Sequence, residues 1–165
     1  MNLREMQSDP MAFFNALIIP SVHGPRRFSE IMAPFQVERF SMLIPALMAV
    51  ANGQRPPVGR FWLEATKGGS KDSDCAAAIL WLLAFSPRAS LTIQCGADDK
   101  NQAGELRKCC RDILLLNQWL ASRIEIQNWL VRCLGTAREC EILSTDATGS
   151  HGARPDVLLI NELSH

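Results

Sequence analysis

From residue 58 onward the apolar positions follow two rhythms, one near two residues and one near 3.6. Arg60-Phe61-Trp62-Leu63-Glu64-Ala65 is a short bulky run that predicts a strand, and the polar, glycine-containing stretch Thr66 to Lys71 follows it. Asp72 to Phe85 is rich in Ala and Leu, has acidic residues in its first turn and is followed by Ser86-Pro87, which predicts a helix. Ser90 to Cys95 alternates as a strand does and closes at Gly96. A second helix, opening at Asp98, lines up Ala103, Leu106, Cys110, Ile113 and Leu114 on one face. Ile124 to Cys133, with a turn at Gln127-Asn128, and Arg138 to Leu143 predict a hairpin or meander. Val157-Leu158-Leu159-Ile160 is a run of four bulky apolar residues, which predicts a strand buried on both faces in the middle of a parallel sheet. Strands alternating with helices predict an α/β fold. Residues 1–57 form a helical or irregular lead-in that ends in the breaker cluster Asn52 to Pro57, and residues 58–165 form the α/β core.

Composition narrows this picture mainly by exclusion. At 165 residues the chain has the size of one domain, and 47% hydrophobic with 21% charged residues is ordinary globular usage. Seventeen basic and 17 acidic side chains cancel, so no global field draws the chain to polyanions or membranes, and any nucleic-acid contact has to be local. The longest apolar run, Cys75 to Phe85, is 11 residues, short of the roughly 20 that cross a bilayer. Glu5, Asp9 and Asn15 spoil the pattern of a signal peptide, so the expected location is the cytoplasm. The six cysteines have neither the spacing of a disulfide framework nor a Cys-x-x-Cys pair, and are expected to be buried thiols.

Three segments carry candidate chemistry. A strand, a glycine turn, a lysine and a helix, in that order, make a phosphate-binding loop, where backbone N–H groups and a helix N-terminus surround phosphates that a lysine neutralises. Gly68-Gly69-Ser70-Lys71 stands in that order, although only Lys71 meets the strict pattern: Ser70 occupies the second glycine position and Asp72 the hydroxyl position, with Ser73 one residue late. Val157 to Glu162 is an apolar strand ending in an amide and a carboxylate, the form of a Walker B strand, with Asn161 where an Asp is usual. Lys71 and Glu162 are 91 residues apart, enough for the intervening elements of a P-loop NTPase. Pro34-Phe35-Gln36 offers a glutamine amide, which pairs in two-pronged fashion with adenine N6 and N7.

Together these segments resemble the ATPase domain of phage terminase large subunits, over most of the chain. The family's Pro-aromatic-Gln motif is matched at Pro34-Phe35-Gln36, and its deviant Walker A, with a basic residue four positions before the lysine, at Lys67 and Lys71. Gly96 to Ala103 is similar to its Asp-Lys-x-Gln-Ala helix start, and Arg154-Pro155-Asp156 with Glu162-Leu163-Ser164-His165 to its closing run. The resemblance implies a P-loop NTPase of the RecA-like (ASCE) type, with a mostly parallel sheet flanked by helices and incomplete at its C-terminus. It implies ATP and Mg²⁺ as ligands, with Gln36, Gly68, Gly69, Ser70, Lys71, Asp72 and Ser73 binding the nucleotide, and Asn161 and Ser73 near the metal. Lys67 would stabilise transition-state charge and Glu162 would orient water. Double-stranded DNA, a small terminase subunit and a portal protein are the implied partners, with a homo-oligomeric ring in the full-length protein and the bacterial host cytoplasm as location. The family's coupling motif and nuclease domain lie beyond the sequence, which therefore reads as a fragment. Asp72 and Asn161 also leave open a degenerate, non-hydrolysing nucleotide-binding or structural remnant. A Cys/His metal or redox protein would need Cys109, Cys110, Cys133, Cys140 and His151 to converge, which their spacing gives no reason to expect.

Overall fold

The computed structural model describes residues 2–64, 69–97, 100–144 and 154–161. The lead-in is mostly helical: α1 (Leu3–Ser8) and α2 (Pro10–Ala16), then the two-residue strands β1 (Ile18–Ile19) and β2 (Arg26–Arg27), then α3 (Phe28–Ile31) and α4 (Pro34–Ala51). Local chemistry sets these starts. Asn2 accepts from the Glu5 N–H and Asp9 from the Met11 N–H, while Pro10 and Pro34 stand where a helix has no use for the missing donor. At the head of α4, Gln36 reaches back so that its Oε1 accepts from the Ala33 N–H at 3.0 Å.

Residues 52–64 form no helix or strand. The expected strand at 60–65 is therefore absent over 60–64, and residue 65 lies outside the described residues. A strand requires a neighbour to satisfy its N–H and C=O groups. None is paired to this segment, and Phe61, Trp62 and Leu63 stand exposed.

The expected core elements follow. They are α5 (Lys71–Phe85), β3 (Ser90–Ala97), α6 (Lys100–Leu116), α7 (Gln118–Ala121), β4 (Ile124–Gln127), β5 (Leu130–Cys133), β6 (Ala137–Ser144) and β7 (Val157–Asn161). Every residue of α5 from Ala76 to Phe85 is buried, as suits a helix apolar all round. It lies between the sheet and the N-terminal helices, which contribute Phe13, Phe14, Phe28 and Phe40 to one continuous core. Phe14 stacks on Phe40 at 4.2 Å between ring centroids, and the Trp81 indole N–H donates to the Met6 carbonyl at 2.7 Å.

The sheet has five strands in the order β4-β5-β6-β3-β7 and is mixed, not mostly parallel. β6, β3 and β7 run parallel, whereas β4, β5 and β6 are joined antiparallel. β7 is also not central: among the described residues it is an edge strand pairing with β3 alone. Register explains its exposure. Val157 and Leu159 face Ile93 and Cys95 on the helix-covered side and pack against the core. Leu158 and Ile160 alternate onto the other side and are more than half exposed. Four apolar residues in a row thus do not make a strand buried on both faces here.

Candidate functional site

α5 ends at Phe85 and β3 begins at Ser90, so the helix returns along the strand and its N-terminus lies toward the strand's carboxyl end. A helix of 15 residues spans ~22 Å and a strand of eight ~26 Å, which makes the two ends meet. Asn161 of β7 and Ser144 of β6 both pair with Ala97 at the same end. In α/β sheets this edge, outside the carboxyl ends of parallel strands, is where ligands bind.

The chain enters α5 through Gly69 and Ser70. Ser70 caps the helix with φ 57°, the left-handed region that a residue with a Cβ rarely occupies. Its backbone is held from both sides. The Ser70 carbonyl accepts from the Asp74 N–H at 2.9 Å and from the Ser73 hydroxyl at 2.8 Å. Its hydroxyl donates to the Gly69 carbonyl at 2.7 Å and accepts from Gln36 Nε2 at 2.9 Å. Lys71, Asp72 and Ser73 form the half-buried first turn, and Lys71 and Asp72 have partners within the protein.

A buried carboxylate completes the cluster. Asp74 is 3% exposed and accepts from Gln36 Nε2 at 2.7 Å and from Arg39 Nη1, with the Ser70 hydroxyl at 3.5 Å. Burial raises its pKa, and the Gln36 hydrogen bond and the Arg39 charge work against that rise. Arg39 also lies over the Phe35 ring, 5.2 Å from its centroid. Gln36 and Arg39 of α4 therefore grip the head of α5 through one amide and one guanidinium.

Of the residues singled out in the sequence, Gln36 meets Ser70 directly, beside Gly69, and Lys71, Asp72 and Ser73 follow on the adjoining turn. Asn161 is the last residue of β7. Lys67, Gly68 and Glu162 lie outside the described residues, as does His151. Asp74 and Arg39 were not singled out. An acidic residue in the first turn of a helix is an ordinary sequence feature, and only the fold shows this one to be buried and shared between two helices.

Asp156 of the Arg-Pro-Asp run performs a structural task. Its Oδ1 accepts from Arg88 Nη1 at 2.7 Å and its Oδ2 from the Thr92 N–H at 2.9 Å, which fixes the start of β7 against β3. Asn117 does comparable work at the other side of the molecule, where its Oδ1 accepts from the Ile18 N–H and its Nδ2 donates to the Ile18 carbonyl. The six cysteines are free, with Cys95 Sγ 3.4 Å from Cys140 Sγ in the core. Among the described residues no three His, Cys, Asp or Glu side chains are grouped to hold a metal, and no helix is long and apolar enough to cross a membrane. A hollow of about 340 Å³ beside Arg4, Met48, Trp81 and Phe85 adjoins the C-terminal end of α5, and no carboxylate, histidine or cysteine lines it.

The fold has a counterpart among solved structures. The crystal structure of the HK97 bacteriophage large terminase superposes on 93% of this chain with a TM-score of 0.67 and 22% sequence identity. The fold is that of a phage large terminase. The chain covers 30% of the length of that terminase chain. No family model matches the sequence, and no curated protein matches it.

Proposed function

We propose that the chain is an ATP-binding and ATP-hydrolysing motor module of a viral DNA-packaging terminase large subunit, of the P-loop NTPase type. The observation that supports it most is the head of α5. A helix N-terminus preceded by Gly69-Ser70 and carrying Lys71 opens at the carboxyl edge of three parallel strands, in a fold shared with a large terminase. The first-turn N–H groups of a helix have no intrahelical acceptor, and together with an ammonium they suit a polyphosphate. In this reading Gly68 to Ser73 cradle the phosphates, Lys71 neutralises them and Gln36 reads the adenine. Lys67 stabilises charge on the transferring phosphoryl group and Glu162 orients the attacking water.

Mg²⁺ bound with the nucleotide would neutralise phosphate charge. Ser73 and Asn161 are the neutral oxygen donors available to it, with Asp72 on the same turn. The Ser73 hydroxyl uses its proton on the Ser70 carbonyl, so its lone pairs remain for a cation. Double-stranded DNA, a small terminase subunit, a portal protein and a homo-oligomeric ring belong to the same proposal. A second reading, a module that binds nucleotide without turning it over, draws on Asp72 and Asn161 at positions where a hydroxyl and an Asp are usual. A turnover measurement separates the two.

Isothermal titration of ATP with Mg²⁺ tests the site. Lys71→Ala is expected to weaken binding at least tenfold with less than about 1 kcal/mol change in stability, as for a half-buried surface cation. Unchanged affinity would move the phosphate site away from residues 67–73.

A further inference from the structure

Both hydrogens of the Gln36 amide, and one lone pair of its oxygen, are used by protein groups. It is 6% exposed, its Oε1 takes the Ala33 N–H, and the two hydrogens of Nε2 go to Ser70 Oγ and Asp74 Oδ1. Reading adenine through N7 and N6 needs a donor and an acceptor on one amide. The oxygen has a second lone pair to offer, but Nε2 has no third hydrogen. A base can therefore be read only if one of the two Nε2 bonds is given up. The two are unequal: Asp74 is a buried carboxylate anchored by Arg39, whereas Ser70 is a neutral hydroxyl on a half-buried loop, and hydrogen bonds to charged partners are the stronger kind.

We propose that Asp74, held by Arg39, is a positioning residue that fixes the direction of the Gln36 amide and makes its bond to Ser70 the one exchanged for the base. This inference rests on the nucleotide reading above and extends it. Asp74 keeps one hydrogen of Nε2, so the amide cannot turn over, and the other hydrogen passes from Ser70 Oγ to adenine N7. Ser70 Oγ then loses its donor, while its own proton stays on the Gly69 carbonyl at 2.7 Å. Base recognition thereby removes the Gln36 bond to the left-handed residue at the head of α5.

The test compares ATP, GTP and inorganic tripolyphosphate by titration calorimetry on the wild-type chain and on Asp74→Asn, with thermal melts as a folding control. In Asp74→Asn the preference for ATP over GTP is expected to fall at least threefold while tripolyphosphate affinity stays within twofold. An unchanged preference in a folded variant overturns the proposal, and so does an equal loss for all three ligands, which a merely structural role would give. Should Asp74→Asn fail to fold, the Gln36 side-chain amide resonances of the wild-type chain decide, assigned by their loss in Gln36→Glu. ATP is expected to shift one of the two Nε2 protons and tripolyphosphate neither; ATP leaving both in place overturns the proposal. If the wild-type chain binds tripolyphosphate but shows no preference for ATP, the positioning role of Asp74 fails and the phosphate site stands. If it binds none of the three, the nucleotide reading itself fails, and this inference with it.

Discussion

At its C-terminal end α5 is closed by side chains from α1 and β6 and by its own following serine. The Phe85 carbonyl accepts from Gln7 Nε2 at 3.1 Å, the Ser86 carbonyl accepts from Arg138, and the Ser86 hydroxyl donates to the Ala51 carbonyl at 2.8 Å. At its N-terminal end the same helix begins on a serine with a positive φ, beside a carboxylate taken out of water. The first end satisfies orphan carbonyls with neutral groups and one guanidinium, as a helix terminus in a core must. The second holds two arrangements that each cost free energy, an unfavourable backbone region and a desolvated charge, and such costs cluster where a protein binds or reacts. Within one helix, then, one end is closed by hydrogen bonds alone, and the other, where the proposed site lies, carries backbone strain as well.

The sharpest way to break this contrast is Trp81→Ala. Loss of a fully buried indole and of its bond to the Met6 carbonyl is expected to cost about 3–5 kcal/mol in chemical denaturation. ATP affinity of the folded fraction should stay within twofold, and a larger change would mean that the two ends are not separable. Glu162→Gln is the reciprocal experiment. A carboxylate that orients water acts in the transition state, so turnover should fall by about 10² while nucleotide affinity holds. Full turnover by Glu162→Gln in a protein that hydrolyses ATP would remove this residue from the mechanism.

A smaller effect comes from alkaline pH. Burial pushes the Cys75 thiol up to about 12, with Cys95 the next cause, and the Cys109 thiol up to about 11. In the unfolded chain these thiols ionise near 9.0, so above that pH the unfolded state loses protons that the folded state keeps. The stabilisation is complete below pH 9 and is lost as pH rises toward the folded values, by about 1.4 kcal/mol per unit for each such thiol. Denaturation midpoints measured from pH 8 to 10.5 should show this fall, and Cys75→Ser should flatten it. Because Cys75 directly follows Asp74, an undiminished slope in Cys75→Ser would mean that the head of α5 is more open to water than the structure shows.

Periodicity foretold the elements whose side chains are ordered by local spacing. The helix expected at 72–85 and the hairpin of β4 and β5 stand where the sequence put them, the strand expected at 90–95 runs on to Ala97, and Asn128 takes the positive φ that a tight turn requires. Arg60 to Glu64 and β7 were misread because composition does not say which neighbour a strand has. The same apolar run is a central strand with partners on both sides and a half-exposed edge with one. Within the site, Ser70 to Ser73 were visible as a pattern. The pairing of Asp74 with Arg39, like that of Asp156 with Arg88, was not, since each joins residues 35 or more apart and exists only once the chain is packed.

The pairing of Asn117 with Ile18 has a consequence for how the molecule opens. A two-residue strand such as β1 would ordinarily fray, because two ladder bonds cannot oppose the entropy of a chain end. Here both backbone groups of Ile18 are held by one amide that is itself 1% exposed and bonded to the Ile113 carbonyl of α6. The β1–β2 hairpin cannot detach without stripping that amide of its partners inside the core. Its exchange of amide hydrogens is thus tied to the opening of α6, and the first thirty residues belong to the same cooperative unit as the sheet.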